Sequence, residues 1–559
     1  MSGERRSGVG VSPGTAAGPV VQVAPPVKAP ADEPAPADAE AAAESVRGAL
    51  SAVGEDLDAR AAAADEHAQP ILKATAMIAR DKGLAKAAAK QVAAGKGPAT
   101  AIAAAVDEFA AQFEALGGYF AERVTDLRDV GSRAIAHVLG VPTPGVPELS
   151  GPSVIVALDL APAETAALDR SHVVAIVTEH GGRTSHTAIL AAQMGIPAVV
   201  QLPDATGIPA GTTVAVDGDA GHVVLDPDTR LLEIQRARRE KLAAALDELH
   251  GPGRTADGHA VALLANIGGV DDAVAAGAAD LEGVGLFRTE FMYLSAATLP
   301  SVEDQADVYR QVLAPFPGRR VVIRTLDAGA DKPLAFADLG EEENPALGRR
   351  GLRLCQARPE LLDSQLEAIA LAAKDTGAEV KVMAPMVATT DEAEWFATRV
   401  RAAGLPSAGV MIEVPAAALR AHHVLSHVDF GSLGTNDLAQ YTMAADRGEG
   451  ELASLLDPWQ PAVLQVIEAA CKGGHSSDRP VGVCGESAGD PFLALVLTGL
   501  GVASLSMAPS KVPAVRFALS RHTLAECRSL ASAALDAPTA ERARQLVKAG
   551  AKNEVTDLL

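Results

Sequence analysis

The second half of the chain carries a repeating alternation that few folds can accommodate. From His259 onward, short runs of apolar residues alternate with longer helical stretches. About eight such units over about 300 residues are typical of a (β/α)8 barrel, because neighbouring parallel strands need a helical crossover between them. The predicted strands are Val261–Asn266, Gly283–Phe287, Val321–Arg324, Val380–Ala384, Gly409–Ile412, Val428–Leu433, Pro480–Val483 and Ala503–Met507.

Strand-like runs also occur in the first half of the chain, on both sides of an Ala-rich region. The region from Ala37 to Leu139 is helical in pattern, and one apolar stripe recurs in it at spacings of three and four residues. We therefore predict a small α/β domain with an inserted helical bundle, which suits a scaffold and a docking surface equally well. The strand-like segments outside the bundle are Val9–Val23, Ser153–Leu158, Val173–Val177, Ile196–Val200, Thr213–Val216 and His222–Leu225.

These patterns predict several domains, as expected for a chain of 559 residues, which is too long for a single core. Residues 1–35 and 140–227 are assigned to the α/β domain, and residues 36–139 to the helical insertion. A polar amphipathic helix over residues 228–250 is the predicted linker, and residues 251–559 form the predicted barrel.

The composition narrows the class of protein further. The net charge of −23 argues against binding to nucleic acid or to an anionic membrane. The four cysteines have no regular spacing, so we predict neither a disulfide framework nor a zinc site. The N-terminus lacks the apolar core of a signal peptide. The uncharged stretch from Pro491 to Ser510 is interrupted by glycines, which favours a buried helix, a turn and a buried strand over a membrane span. We expect a soluble, cytoplasmic protein.

One histidine has a setting that favours chemistry over packing. The segment from Thr178 to Gln193 reads TEHGGRTSHTAILAAQ, and its two glycines allow a tight loop between a strand and a helix. His186 falls in the first turn of that predicted helix, where free N–H groups and the helix dipole favour an anion over a cation. The imidazole should therefore stay neutral and nucleophilic, and phosphorylation would turn it into the anion that this position favours. A lone histidine usually packs or caps, but this loop favours a phosphohistidine.

A set of polar residues falls where the predicted barrel strands end. Catalytic groups of such barrels lie at the C-terminal ends of the strands. Several arginines at one mouth would suit a phosphate and a carboxylate, and two acids there would suit Mg²⁺ shared with a substrate phosphate. The alternative is that these groups form salt bridges at the barrel rim. The residues are Arg288, Arg324, Glu413, Asn436, Asp437, Arg447 and Cys484.

Cys484, in the sequence Val-Cys-Gly-Glu, is ambiguous on the pattern alone. A cysteine at a strand end is usually a small buried apolar residue. A thiol beside an enolate could instead donate a proton to it. Both interpretations stay open at this point.

At these residues the chain resembles enzyme I of the phosphoenolpyruvate:sugar phosphotransferase system. The resemblance covers nearly the whole chain, and the combined motifs are specific. They are SPG at Ser12–Gly14, GGRTSH at Gly181–His186, LFRTEF at Leu286–Phe291, IRTLDAGADK at Ile323–Lys332, EENPALG at Glu342–Gly348, IEVPAA at Ile412–Ala417, GTNDLAQYTMAADR at Gly434–Arg447 and CGESAGD at Cys484–Asp490.

The resemblance implies a fold and a set of roles. It implies a swivelling α/β phosphohistidine domain with an inserted helical bundle, followed by a C-terminal (β/α)8 TIM-type barrel. His186 would be phosphorylated on Nε2, Cys484 would be the proton donor, and Glu413 and Asp437 would hold Mg²⁺. The implied ligands of phosphoenolpyruvate are Arg288, Arg324, Asn436, Asp437 and Arg447.

The resemblance also implies partners. The helical insertion would dock the phosphocarrier protein HPr, and the barrels would pair into a homodimer. Lys332, Arg350 and Arg353 match family positions too, but their roles stay open. The departures from the family pattern lie mostly in the helical insertion, at Gln69–Lys82, and at Ala161. They concern partner contacts more than catalysis.

Two other functions remain as alternatives. Pyruvate phosphate dikinase and phosphoenolpyruvate synthase look similar in the histidine loop and the barrel, but they need an ATP-binding domain, and no Gly-rich phosphate loop precedes the histidine domain here. The second alternative is a regulatory phosphoprotein that binds phosphoenolpyruvate as a signal without releasing pyruvate.

Overall fold

The computed structural model of the chain contains two compact units, Met1–Ala237 and Arg238–Leu559. The structure describes residues 3–12, 14–24, 26–63, 68–116, 123–141, 143–147, 149, 151–160, 168, 172–182, 187, 188, 191, 196–218, 220–228, 241, 244–246, 248–293, 296, 298–329, 334, 336, 337, 340, 342–446 and 450–559. Most of the predicted linker helix, residues 228–250, lies outside these residues.

The first unit contains a mixed sheet of eight strands in the order β1-β8-β7-β3-β4-β5-β6-β2. The strands β3, β4, β5 and β6 run parallel to one another, and the remaining pairs are antiparallel. The strands are β1 (Arg5–Ser7), β2 (Val9–Ser12), β3 (Thr15–Gln22), β4 (Ser153–Ala157), β5 (Val173–Thr178), β6 (Ala198–Val200), β7 (Thr213–Asp217) and β8 (His222–Leu225).

The parallel centre of this sheet is buried on both faces, which explains its continuous apolar runs. In β4, Val154 and Val156 pack into one apolar cluster, while Ile155 and Ala157 pack into another. Successive side chains of a strand point to opposite faces, so a run without polar residues indicates cover on both sides. The predicted strands of the α/β domain therefore form one sheet.

Helices separate β3 from β4, as the Ala-rich composition predicts. They pack around a core of their own, which includes the buried residues Val46, Leu50 and Ile102. Glu33 precedes this region, and its carboxylate accepts hydrogen bonds from the backbone N–H groups of Ala99 and Thr100 at the start of one helix. The described helices here are Ala39–Ala63, Ala68–Ala79, Lys82–Ala93, Pro98–Leu116 and Val124–Leu139.

The second unit contains a closed barrel of eight parallel strands, as the alternation predicts. Each strand pairs with the next one along the chain, and β16 closes the barrel by pairing with β9. The strands are β9 (Ala262–Ile267), β10 (Gly283–Arg288), β11 (Arg320–Arg324), β12 (Glu379–Ala384), β13 (Ala408–Ile412), β14 (Phe430–Leu433), β15 (Val481–Val483) and β16 (Ser504–Met507).

The helices of the second unit surround this barrel and extend beyond it at the C-terminus. The uncharged stretch forms the buried helix Pro491–Gly499 followed by β16, as predicted. Among the described residues, no helix is both long enough and apolar enough to cross a membrane. The helices are Val270–Ala278, Val302–Leu313, Leu352–Ala357, Pro359–Asp375, Thr390–Ala402, Pro415–Leu419, Ala421–Leu425, Thr435–Met443, Pro461–Ser476, Pro491–Gly499, Val512–Arg521, Leu524–Leu535, Ala540–Gly550 and Asn553–Thr556.

Strand alternation decides which side chains enter the barrel. In β11, Val321 and Ile323 pack outward into the large core beneath the helices, whereas Val322 belongs to a small cluster inside the barrel. The side-chain period of two residues therefore turns Arg324 inward as well. The interior cluster consists of Leu286, Val322, Met383, Met411, Phe430 and Cys484.

Candidate active site at the barrel mouth

The barrel brings six of the predicted site residues to one face. The C-terminal ends of parallel strands meet at the same end of a barrel, so residues that follow different strands become neighbours. Arg288 ends β10, Arg324 ends β11, Glu413 follows β13, Cys484 follows β15, and Asn436 and Asp437 lie in the first turn of helix Thr435–Met443 after β14. Of these, Arg288 is exposed at the mouth, Asn436 is partly buried, and the other four are buried.

Arg324 is held by two acidic residues that the sequence analysis did not single out. Its Nη2 donates to Glu290 Oε1 at 2.9 Å, and its Nη1 lies 3.1 Å from Asp327 Oδ2. Burial opposes the charge of the guanidinium, but Asp327 and Glu290 outweigh that cost and raise the pKa of Arg324. The Nε atom of Arg324 is buried and makes no hydrogen bond.

A second buried guanidinium extends this arrangement. Arg350 donates to both oxygens of Asp327 at 3.0 Å, through Nε and Nη2. It also donates to Asp437, with Nη1 at 3.2 Å from Oδ1 and Nη2 at 3.4 Å from Oδ2. The two arginines and three acids thus form a continuous chain of opposite charges. The rim salt bridges considered from the sequence therefore do occur at Arg324 and Asp437.

Glu413 lies at the bottom of this mouth with one oxygen uncommitted. Its Oε1 accepts a hydrogen bond of 2.6 Å from the backbone N–H of Met386, while Oε2 is buried and has no hydrogen-bond partner. The pKa of Glu413 is raised to about 8, mainly by burial and also by the carboxylates of Asp437 and Asp327, while Arg324 and Arg350 counteract this rise.

The backbone around Glu413 is adapted to this close packing. Met386 has a φ of 59°, a conformation that non-glycine residues adopt rarely, and its N–H donates to Glu413 from that position. A Cβ atom on Gly434 would lie 2.8 Å from Glu413 Oε2, so only glycine leaves room for the carboxylate there.

Cys484 sits where the apolar interior of the barrel meets the charged mouth. Its Sγ donates to the backbone carbonyl of Leu433 at 3.5 Å, and its own carbonyl accepts from Asn266 Nδ2 at 3.0 Å. Burial raises the pKa of the Cys484 thiol to about 11, although a hydrogen bond from Ser432 and the charge of Arg324 counteract this. The thiol therefore keeps its proton at neutral pH, as a general acid requires.

Asn436 faces the same mouth from the following helix. Its Oδ1 accepts a hydrogen bond of 3.3 Å from the backbone N–H of Glu486. Because this bond uses the amide oxygen, the NH2 group is the part of the side chain that can donate to a ligand.

The donor set fits a divalent cation that shares its ligands with a substrate. Among the residues that the structure describes, no group of three or more His, Cys, Asp and Glu could hold a metal ion unaided. Mg²⁺, however, is commonly bound by one or two carboxylates together with substrate phosphate. The buried mouth holds four carboxyl groups against two guanidinium groups, and the unpartnered Oε2 belongs to one of the two proposed ligands, Glu413.

Two of the predicted site residues, His186 and Arg447, lie outside the described residues, as does Lys332. The strand before the histidine loop is described, and Gly181 has a φ of 94°, a conformation that favours glycine. Thr187, directly after His186, is buried and donates to the carbonyl of Leu160 at 3.3 Å.

Three residues of the buried network were not assigned a role from the sequence: Glu290, Asp327 and Arg350. Glu290 and Asp327 fall inside the quoted motifs LFRTEF and IRTLDAGADK, and Arg350 was noted only as a family position. Their position in these motifs was the available signal, but only the contacts identify them as members of the buried network. Arg353, whose role also stayed open, donates to the carbonyls of Leu347 and Gly348.

Comparison with protein families matches three successive domains. Residues 7–123 match "PEP-utilising enzyme, N-terminal", residues 149–221 match "PEP-utilising enzyme, mobile domain", and residues 243–524 match "PEP-utilising enzyme, PEP-binding domain". The second match includes His186, and the third includes every predicted residue of the barrel mouth. These matches assign the chain to the phosphoenolpyruvate-utilising enzymes.

Curated relatives narrow the class. The phosphoenolpyruvate-protein phosphotransferase of Streptomyces coelicolor is 50% identical over 97% of this chain and 98% of its own length. Proteins of the same name from Haloferax volcanii and Bacillus subtilis are 42% and 39% identical and cover 77% and 79% of this chain, and 78% and 80% of their own lengths. The chain belongs to the family of phosphoenolpyruvate-protein phosphotransferases.

Proposed function

We propose that this protein transfers the phosphoryl group of phosphoenolpyruvate to its own His186, releases pyruvate, and then passes the phosphoryl group to the phosphocarrier protein HPr. The observation that carries this proposal is the buried charge network at the barrel mouth. It contains a guanidinium N–H and a carboxylate oxygen that lack partners, at Arg324 and Glu413. Buried polar atoms are rarely left unpaired, so both indicate a ligand that completes the site.

Phosphoenolpyruvate has the charges that this mouth can bind. Its carboxylate presents two oxygens in one plane, and its phosphate presents three terminal oxygens. Either group can accept a pair of hydrogen bonds from one guanidinium. Arg288 and Arg324 approach from neighbouring strands, and Arg447 and Asn436 are the proposed additional donors. Fixed donors of this kind stabilise the charge on a transferring phosphoryl group without reorganisation.

Glu413 and Asp437 are the residues that would hold Mg²⁺. The cation would act as a Lewis acid on the phosphate oxygens and offset the excess of carboxylates in the buried mouth. Two observations support this proposal: Arg350 contacts both oxygens of Asp437, and the N–H of Met386 orients the carboxylate of Glu413.

The chemical step begins with attack by a ring nitrogen of His186 on the phosphorus. The N–P bond forms as the bridging P–O bond breaks, and the electron pair of that bond stays on the enolate oxygen. Cys484 Sγ–H then gives its proton to the methylene carbon, which yields pyruvate, and solvent restores the thiol proton. The raised pKa of Cys484 keeps this proton available at neutral pH.

The proposal also includes two partners and a cellular location. The helical bundle between β3 and β4 docks HPr, so that a histidine of HPr can take the phosphoryl group from His186. The barrels pair into a homodimer, and the protein acts in the cytoplasm. These features rest on the resemblance of the chain to enzyme I. The domain limits proposed from the sequence, with residues 36–139 as the docking domain, are part of the same proposal.

A labelling experiment tests the whole reaction. The protein is incubated with phosphoenolpyruvate labelled in its phosphate and with Mg²⁺, and protein-bound label and pyruvate are measured together. We expect one label per chain at most, with equal release of pyruvate. The label should be lost in acid and retained in base, as for a phosphoramidate. Binding of phosphoenolpyruvate without label or pyruvate would instead indicate a sensor protein.

A further inference from the structure

Asp327 occupies a position that the catalytic proposal does not use. It is fully buried, and it lies between the two buried guanidinium groups of the mouth. One of its oxygens, Oδ2, faces both Arg324 at 3.1 Å and Arg350 at 3.0 Å, while Oδ1 accepts from Arg350 Nε. A single carboxylate therefore fixes two cations at once.

The two arginines that Asp327 holds lead to different parts of the site. Arg324 is the proposed ligand of the substrate anion. Arg350 reaches Asp437, one of the two proposed metal ligands, with both of its Nη atoms. A shift of the Asp327 carboxylate would therefore move the anion-binding side and the metal-binding side together.

Glu290 reinforces this position from the other side. Its Oε1 accepts both from Arg324 Nη2 and from the backbone N–H of Asp327, at 2.9 and 3.1 Å. Glu290 therefore fixes the backbone that carries Asp327 as well as the guanidinium that Asp327 contacts. Glu290 thus supports the mouth network through Arg324 and Asp327, on the side of the substrate anion.

From this geometry we infer that Asp327 is a positioning residue that couples the phosphoenolpyruvate subsite to the metal subsite by fixing Arg324 and Arg350 in one arrangement. This inference rests on the proposed function. Asp327 is not among the proposed ligands of phosphoenolpyruvate or of Mg²⁺. It acts through two arginines whose forks must keep a set orientation, because bidentate recognition depends on geometry as well as on charge.

The test measures two binding constants separately in the full-length protein. One is the dissociation constant of phosphoenolpyruvate without metal, measured by calorimetry. The other is that of Mn²⁺ without phosphoenolpyruvate, measured by electron paramagnetic resonance, since Mn²⁺ accepts the same oxygen ligands. In Asp327→Asn, we expect both constants to rise by about tenfold or more, the factor that corresponds to the loss of a charge-assisted hydrogen bond.

A matched control separates positioning from stability. Asp457 accepts two hydrogen bonds from Arg544, at 3.1 and 3.0 Å, in a pair that involves no residue of the mouth network. Asp457→Asn should lower the thermal midpoint and leave both binding constants within about twofold of wild type. All measurements are made below the midpoint of each variant, with circular dichroism to establish folding.

Two outcomes would overturn the inference. One is a folded Asp327→Asn protein in which both constants stay within about twofold of wild type. The other is a change in only one of them, because a coupling residue must affect both. If Asp327→Asn does not fold, Arg350→Lys decides. Lysine keeps the positive charge but cannot reproduce the paired contacts with Asp327 and Asp437. The inference then predicts weaker binding of both Mn²⁺ and phosphoenolpyruvate, and unchanged binding of phosphoenolpyruvate would contradict it.

The wild-type protein distinguishes this inference from the proposed function. If wild type is labelled by phosphoenolpyruvate while Asp327→Asn binds normally, only the role of Asp327 is wrong. If wild type binds phosphoenolpyruvate but is never labelled, the proposed transfer itself fails.

Discussion

The α/β sheet of the first unit and the barrel mouth of the second bury very different side chains. Among the described residues of the sheet region, the buried polar side chains are hydroxyls, those of Ser12, Ser153, Thr178 and Thr187. The barrel mouth buries six ionisable residues in one place: Glu290, Arg324, Asp327, Arg350, Glu413 and Asp437.

This difference suggests a division of labour. Burying a charge is costly unless it is paired, and a network is tolerated where it prepares a site for a charged ligand. A domain that only carries a phosphoryl group on one loop needs a single reactive residue and an apolar sheet beneath it. A domain that must bind a small, highly charged substrate needs its charges assembled in advance.

The carrier side of this comparison depends on one residue. In His186→Ala, we expect complete loss of label from phosphoenolpyruvate, because the nucleophile is absent. The exposed His422 serves as control, and His422→Ala should label normally. If a folded His186→Ala protein retained the label, another residue would carry the phosphoryl group. The proposed carrier role of the first unit would then lose its support.

A fragment of residues 1–250 separates the two regions altogether. It should exchange phosphate with phosphorylated HPr but gain no label from phosphoenolpyruvate, because the buried arginines Arg324 and Arg350 lie beyond it. The measurement is label transfer in both directions, with the full-length protein as reference. Label from phosphoenolpyruvate on the fragment alone would place the substrate site in the first unit.

The next prediction concerns Cys484, the proposed proton donor between the apolar interior of the barrel and its charged mouth. Cys484→Ala should slow pyruvate formation by about 10²–10⁴-fold, the usual contribution of a general acid, while binding of phosphoenolpyruvate persists. Proton delivery to the methylene carbon should also lose stereospecificity in a chiral-methyl assay. Cys471, also buried, provides the control, since Cys471→Ala removes a thiol within helix Pro461–Ser476 rather than one that follows a barrel strand. Normal turnover in Cys484→Ala would show that Cys484 only packs in the interior and is not the proton donor.

A change in the proposed metal ligand Glu413 should slow the reaction with phosphoenolpyruvate by a somewhat smaller factor. Glu413→Gln keeps the shape of the side chain but removes its charge, and we expect transfer from phosphoenolpyruvate to fall by about 10²–10³-fold. Exchange with phosphorylated HPr should persist, because it uses only the first unit. Failure of both reactions in a folded Glu413→Gln protein would contradict the division of labour.

The smallest expected effect concerns pH. Burial raises the pKa of Glu413 to about 8, so the folded protein holds this proton more tightly than the unfolded chain does. The resulting stability is complete below the ordinary carboxyl pKa and is lost as the pH rises through about 8. We expect the free energy of unfolding of metal-free wild type, relative to Glu413→Gln, to fall with rising pH by at most about 1.4 kcal/mol per unit. Denaturant titrations from about pH 5 to about pH 8 measure this difference. A constant difference across this range would show that Glu413 has an ordinary pKa.

The sequence by itself determined the elements of the fold. The eight barrel strands are confirmed within one or two residues at each end, because apolar runs of strand length were separated by longer helical stretches. The buried helix Pro491–Gly499 and β16 were likewise predicted from an uncharged stretch broken by glycines. The location of Arg324 and Glu413 at strand ends followed from the same pattern. Their roles, like that of His186, stay predictions.

Only the tertiary structure decided how the charges of the mouth are paired. Arg350 is 23 residues from Asp327 and 87 residues from Asp437, and no periodicity in the sequence connects positions so far apart. Closure of the barrel brings together the ends of strands that are distant in the chain, and burial then makes pairing obligatory. For this reason the sequence indicated which residues could act at the mouth, whereas the fold determined that Asp327 joins its two arginines.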